Sequence, residues 1–97
     1  MMTQNPVALD ARRRRLVWRA THRGMKEMDL VLGAYARREA AGMDDKAIAI
    51  FEALLDETDA DLHDWIVRCL TAPDRIPAQL LDTLRKTRFE MDSYRQF

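Results

Sequence analysis

The sequence predicts an all-α protein built as a small five-helix bundle. Three observations lead there. Strong helix formers (Ala, Leu, Met, Arg, Glu) dominate a chain of 97 residues that holds only three Gly and three Pro. Apolar residues return at three- and four-residue spacing in successive short stretches. No stretch alternates with period two for long enough to make a strand, and no repeat of fixed period is present.

Residues 1–8 read as a flexible lead. Asp10 offers an N-cap for a first helix running to about Thr21, with Leu16 and Ala20 sharing its inner face and Trp18 pointing elsewhere. Gly24 interrupts the pattern. From Met25 the stripe resumes through Met28, Leu32, Tyr35 and Ala36, widened by Leu30, Val31 and Ala34, as expected of a central helix touched on two sides. Gly42 supplies its C-terminal stop. Asp44 caps a third helix whose buried face is Ile48, Phe51, Leu54 and Leu55. Thr58 or Asp59 caps a fourth, lined by Leu62, Ile66, Cys69 and Leu70, with Cys69 a buried small apolar residue. Thr71-Ala72-Pro73 ends it. Pro77 fits the first turn of a fifth helix carrying Leu80, Leu81 and Leu84, with Ile76 just ahead. The single helical domain is expected over residues 9–86, with 87–97 a tail or an extension of the last helix.

Composition narrows the function classes. No apolar run approaches the roughly 18 residues that span a bilayer, and the opening MMTQNPVALDARRRR lacks the apolar segment of a secretory signal. One cysteine excludes an internal disulfide or a four-cysteine zinc site and suits the cytoplasm of a bacterium. There is no phosphate-binding glycine loop, HExxH or nucleophile elbow, and no His, Cys or carboxylate pair has metal-ligand spacing. Neither an enzyme nor a cofactor or metal site is expected.

Net charge is zero but uneven. Arg12, Arg13, Arg14, Arg15, Arg19, Arg23 and Lys26 stand without an acid between residues 12 and 26. Residues 44–64 hold Asp44, Asp45, Glu52, Asp56, Glu57, Asp59, Asp61 and Asp64 against Lys46 alone. The arginine run could contact phosphates, but the acidic middle would repel nucleic acid, so the ordinary reading of the run is a solvated helix face.

The segment from His22 to Asp29 stands out. A glycine between charged residues at a helix start either lets another backbone approach closely or adopts a φ closed to other residues. Glu27 and Asp29 suit the first turns of a helix, and Arg23 could pair with Glu27 if the helix already includes Arg23. The ordinary reading is a capped helix start with incidental surface charges.

In context, Arg23-Gly24-Met25-x-Glu27-x-Asp29, with Leu30 and Leu32 after it and Arg14, Arg15, Leu16 and Trp18 before it, resembles the flavinylation factors for succinate dehydrogenase. These are known in bacteria as SdhE and in mitochondria as succinate dehydrogenase assembly factor 2. Phe51-Glu52-x-Leu54-Leu55, then Asp59, Asp61, Leu62, Trp65 and residues 66–70, continue the likeness in order, over roughly residues 12–85. His22 departs from it, since many members carry another basic residue there, often Arg. The resemblance implies a five-helix fold and a chaperone-like role. Such a factor binds the flavoprotein subunit of succinate dehydrogenase, in some bacteria that of fumarate reductase, and promotes covalent attachment of FAD to a histidine of that client. It need not bind FAD or donate a catalytic group. It also implies that Arg23, Gly24, Met25, Glu27 and Asp29 form the client-contact surface, with Arg14, Arg15 and Trp18 beside them. Arg23 would then make fork-shaped contacts to the client, Gly24 would allow close backbone approach, and the free chain would be a monomer. The alternatives are a helical adaptor for another client, then a small basic nucleic-acid regulator.

Overall fold

Three helix starts follow from side-chain oxygens placed to accept free amides, while the helix that follows Met25 starts without one. The computed structural model describes residues 9–95; the lead expected over 1–8 lies outside them. Helix α1 spans Ala11–Thr21, and the Asp10 carboxylate accepts from the Arg13 amide. Helix α2 spans Lys26–Glu39 and passes into a 3₁₀ turn, Ala40–Gly42. Helix α3 spans Asp45–Leu55, capped by Asp44 at the Ala47 amide. Helix α4 spans Asp59–Ile66, capped by Thr58 at the Asp61 amide. Helix α5 spans Ala78–Arg95 and continues unbroken past Lys86. Pro77 stands one position before it, its carbonyl accepting from the Leu81 amide, not within the first turn as expected.

Helix α2 is the central element. It packs against α1 on one side and against α5 and α4 on the other. Met28, Val31, Leu32 and Ala36 are buried there, together with Leu16 and Ala20 of α1, Ile48, Phe51 and Leu54 of α3, Leu62 and Ile66 of α4, and Leu81 and Leu84 of α5. Each large apolar side chain removed from water contributes about 1.5–3 kcal/mol, so this shared core is what holds short helices together.

Two expected helix ends differ from the structure. Gly42 does not stop α2 through a left-handed conformation. The turn tightens to 3₁₀ geometry instead, and Met43 is extended. The fourth helix is shorter than expected. After Ile66, the Arg68 amide returns to the His63 carbonyl and the Leu70 amide to that of Asp64, with Cys69 at φ +56. The wrap closes the helix one turn early and turns its last apolar positions outward. Cys69 and Leu70 are therefore exposed, not buried.

Arginine side chains serve the C-terminal ends of α2 with its 3₁₀ turn, of α3 and of α4. Arg13 donates to the carbonyls of Ala40 and Met43, Arg23 to those of Leu55 and Glu57, and Arg85 to those of Trp65 and Leu70. The last carbonyls of a helix have no intrahelical partner, and each guanidinium reaches one carbonyl at the helix end and one in the segment that follows, adding charge of the favourable sign. The uneven charge of the sequence resolves in the same way. Arg12, Arg19 and Arg23 pair with Glu52, Asp56 and Asp59, so much of the basic run closes onto the acidic middle within one molecule.

Two stability predictions arise here. A Cβ added at Gly33 would lie 2.7 Å from Thr21 Cγ2 of α1, and Thr21 is held by its hydroxyl donating to the Val17 carbonyl. Gly33→Ala gains about 1 kcal/mol of helix propensity but loses about 1–3 kcal/mol to overpacking. It should lower the urea midpoint in the wild-type chain and raise it in a Thr21→Ser background, where the obstructing methyl is gone.

The second prediction concerns pH. Glu52 and Glu57 each accept two N–H bonds, from Arg12 and Arg75 respectively, which hold both carboxyls below the usual glutamate range. The folded chain therefore takes up these protons at lower pH than the unfolded chain does. The stability they give is present at neutral pH and is lost as pH falls below about 5. The urea midpoint should drop over that range, and the Glu52→Gln, Glu57→Gln double variant should show a shallower drop.

Candidate functional site

The expected motif lies in the corner between α1 and α2, and the structure divides it into residues that face inward and residues that face outward. Arg23 faces inward. Its side chain is only 11% exposed. Its Nε donates to Asp59 Oδ1 at 2.7 Å and its Nη2 to the Glu57 carbonyl at 2.6 Å, while Nη1 donates to the Leu55 carbonyl. Because α2 begins at Lys26, Arg23 is outside the helix and does not pair with Glu27, contrary to the pairing considered from sequence. Its expected forked contact is filled from within the chain, by the α3–α4 corner.

Asp29 supports the same turn from the other side. Its carboxylate accepts from the Arg23 amide at 2.6 Å. Met25 is half-buried against the core, and its carbonyl accepts from the Asp29 amide. Between these anchors Gly24 has φ +104, is exposed, and has nothing within 4 Å of where a Cβ would stand. Of the two sequence-based reasons for the glycine, the conformation is the one visible within the chain.

Glu27 faces outward at the meeting of three helices. Its Oε1 is 3.5 Å from His63 Nε2 on α4, and its Oε2 is 3.5 Å from Arg88 Nε on α5. Arg88 Nε is also 3.0 Å from Asp92 Oδ2. Glu27, Arg88 and Asp92 line a shallow groove between α2 and α5 with Lys26 and Leu30. Arg14 and Trp18 lie four residues apart on the exposed side of α1, and His22 follows as the residue that ends it. Trp18 is 60% exposed and stacks on His22, with ring centroids 4.3 Å apart. Arg15 is exposed on the same helix.

Trp18, Gly24, Met25 and Glu27 thus gather at the end of α1 and the start of α2, Arg23 and Asp29 serve the turn from inside, and Arg14 and Arg15 stand in the first half of α1, where Arg14 donates to the Leu9 carbonyl. Sequence reasoning did not bring Asp59, His63 or Arg88 to this place. They come from elements far along the chain, and no local spacing signals them. Among the described residues no His, Cys, Asp and Glu group is placed to hold a metal ion, and no helix is long and apolar enough to cross a membrane.

A polar turn with an exposed glycine, flanked by a groove and a stacked aromatic pair, suits recognition of a protein surface more than chemistry on a small molecule. A family described as flavinator of succinate dehydrogenase matches residues 14–88. The chain is similar to the FAD assembly factor SdhE of Acetobacter pasteurianus, 36% identical over 73 residues that cover 75% of this chain and 67% of that protein. It is also similar to the mitochondrial succinate dehydrogenase assembly factor 2 of Cryptococcus neoformans, 39% identical over 75 residues, 76% of this chain and 43% of that protein. The corresponding protein of Debaryomyces hansenii is 34% identical over 61 residues, 63% of this chain and 43% of its own. The chain therefore spans less than half the length of these mitochondrial relatives.

Proposed function

The chain belongs to the family of flavinators of succinate dehydrogenase, and from that premise we propose that it binds the flavoprotein subunit of succinate dehydrogenase and promotes covalent attachment of FAD to a histidine of that subunit. The observation that carries the reading is the family match over residues 14–88, which contains the whole motif turn. Membership of an assembly-factor family also bears out the expectation that the chain is not itself an enzyme.

Both reacting groups, the flavin and the histidine, belong to the client. Bond formation requires them at reacting distance in a fixed, polar surrounding. A bound helper contributes by favouring the client arrangement in which they meet, and its gain is limited to its differential affinity for that arrangement. Gly24, Lys26 and Glu27 are the motif residues available for docking, with Trp18, Arg14 and Arg15 continuing the surface along α1. The charged rim gives orientation and Trp18 gives apolar anchorage. A second copy over this turn would cover it, so the free chain acts as a monomer. The single cysteine suits a reducing compartment such as the cytoplasm of a bacterium.

The test is covalent flavin on the flavoprotein subunit, read by in-gel fluorescence in cells lacking this gene. Covalent flavin should fall and return with the wild-type gene, but not with Glu27→Ala, whose half-exposed side chain leaves the core untouched. Normal covalent flavin on this subunit without the gene would overturn the assignment. A loss seen only on the fumarate reductase flavoprotein would move it to that client.

A further inference from the structure

Resting on the reading above, we propose that Asp59 is a positioning residue for client docking: acting through Arg23, it fixes the turn that presents Gly24 and the start of α2, and Arg23 makes no client contact of its own.

The hydrogen-bond inventory of Arg23 leads to this. A guanidinium offers five N–H donors in one plane. Here Nε, Nη1 and Nη2 are directed at Asp59 and at the carbonyls of Leu55 and Glu57, and the group is nearly buried. Turning it out to a client would leave two carbonyls at the end of α3 and the Asp59 carboxylate without their partner. Asp59 is not needed as the cap of its own helix, because Thr58 already accepts from the Asp61 amide. Its carboxylate is free to orient Arg23, and it is the only side-chain anion in hydrogen-bond contact with that guanidinium among the described residues.

The consequence reaches the surface. The Arg23 amide is tied to Asp29 while its side chain is tied to the α3–α4 corner. The two ties bracket the left-handed Gly24, so the turn has one arrangement before a client arrives. A docking turn held this way avoids the affinity loss that a partly populated conformation imposes. The motif arginine and glycine then belong to one device with opposite directions: the first grips the fold, the second faces the client.

The experiment uses the full chain and the purified flavoprotein subunit. Affinity is measured by titration calorimetry for wild type, Asp59→Asn, Asp59→Ala, Arg23→Ala and the Asp59→Ala, Arg23→Ala pair. All are held at a temperature where unfolding curves show them folded. Leu84→Ala, a core change away from the turn, serves as the stability-matched control. Asp59→Ala should weaken binding roughly tenfold, the size of a shift to a one-tenth-populated turn. Asp59→Asn should weaken it less, and Leu84→Ala should leave it unchanged. Arg23→Ala should add little once Asp59 is gone, and the Gly24 amide resonance should shift or broaden in Asp59→Ala alone. A further large loss from Arg23→Ala in the Asp59→Ala background would overturn the proposal, since Arg23 would then act through the client or through the Leu55 and Glu57 carbonyls without needing Asp59. Wild-type affinity in Asp59→Ala would overturn it as well, while leaving the functional reading intact. Failure of the wild-type chain to bind the flavoprotein would overturn both.

Discussion

Replacing Gly24 with arginine should reduce covalent flavin on the client at least tenfold, while Gly24→Ala should keep most of it. The two variants share one cost. Any L-residue at φ +104 is strained, by about 1–3 kcal/mol, which for a domain of this size lowers Tm by about 4–8 °C per kcal/mol. They differ beyond the Cβ. Within the chain a Cβ at Gly24 meets open space, so alanine brings strain and little else. Arginine adds a long charged side chain on the exposed turn, in the space the client would occupy. Thermal unfolding and covalent flavin, measured on both variants below their melting range, separate the effects. Equal loss of function in both would assign it to backbone strain. Full function in both would remove the turn from the docking surface.

The contrast bears on which parts of the molecule its sequence discloses. The caps at Asp10, Asp44 and Thr58, and the apolar stripe through Met28, Leu32 and Ala36, are local signals, and each places its element correctly. They act over three or four residues, the range in which periodicity and capping operate. The misplaced features depend on contacts across the fold. The end of α4 looked later because Cys69 and Leu70 continue an apolar pattern. The observed end uses an unusual left-handed cysteine and an arginine from α5, fifteen residues or more away. Gly33 gave no signal either, because its role is set by a threonine on the preceding helix.

Arg23 shows the same limit at the site. Its position in a motif is visible, but the direction of its side chain is decided by Asp59, thirty-six residues on. The acidic middle of the sequence held the answer in aggregate. Opposite charges on neighbouring helices of a small bundle have short routes to one another, and here they pair rather than form two opposed faces. That pairing weakens the nucleic-acid alternative on physical grounds. Arg12 and Arg19 are neutralised by α3 or the residue that ends it, and Arg13 is engaged with carbonyls, leaving few of the run's charges for a phosphate backbone.

Phe51→Ala tests the reverse separation, a broken fold with an unaltered surface. Phe51 is 1% exposed, and its ring meets Tyr35 of α2 in a tilted arrangement with centroids 5.1 Å apart. Truncation removes apolar contact and leaves a cavity between α2 and α3, at a cost of about 3–5 kcal/mol. Against a total of about 5–15 kcal/mol for a domain, this should lower Tm by about 12–40 °C. Phe51→Leu, which refills most of the space, should cost far less. No atom of Phe51 belongs to the motif turn, so client affinity at about 10 °C, referred to the fraction that unfolding curves show folded, should match wild type. At growth temperature covalent flavin should fall in proportion to the unfolded fraction. Extra copies of the variant should partly restore it by mass action, whereas extra copies of Gly24→Arg should restore much less per folded molecule. Reduced affinity in folded Phe51→Ala would show that the α2–α3 core controls the shape of the turn through Leu55 and the Arg23 contact one helical turn away.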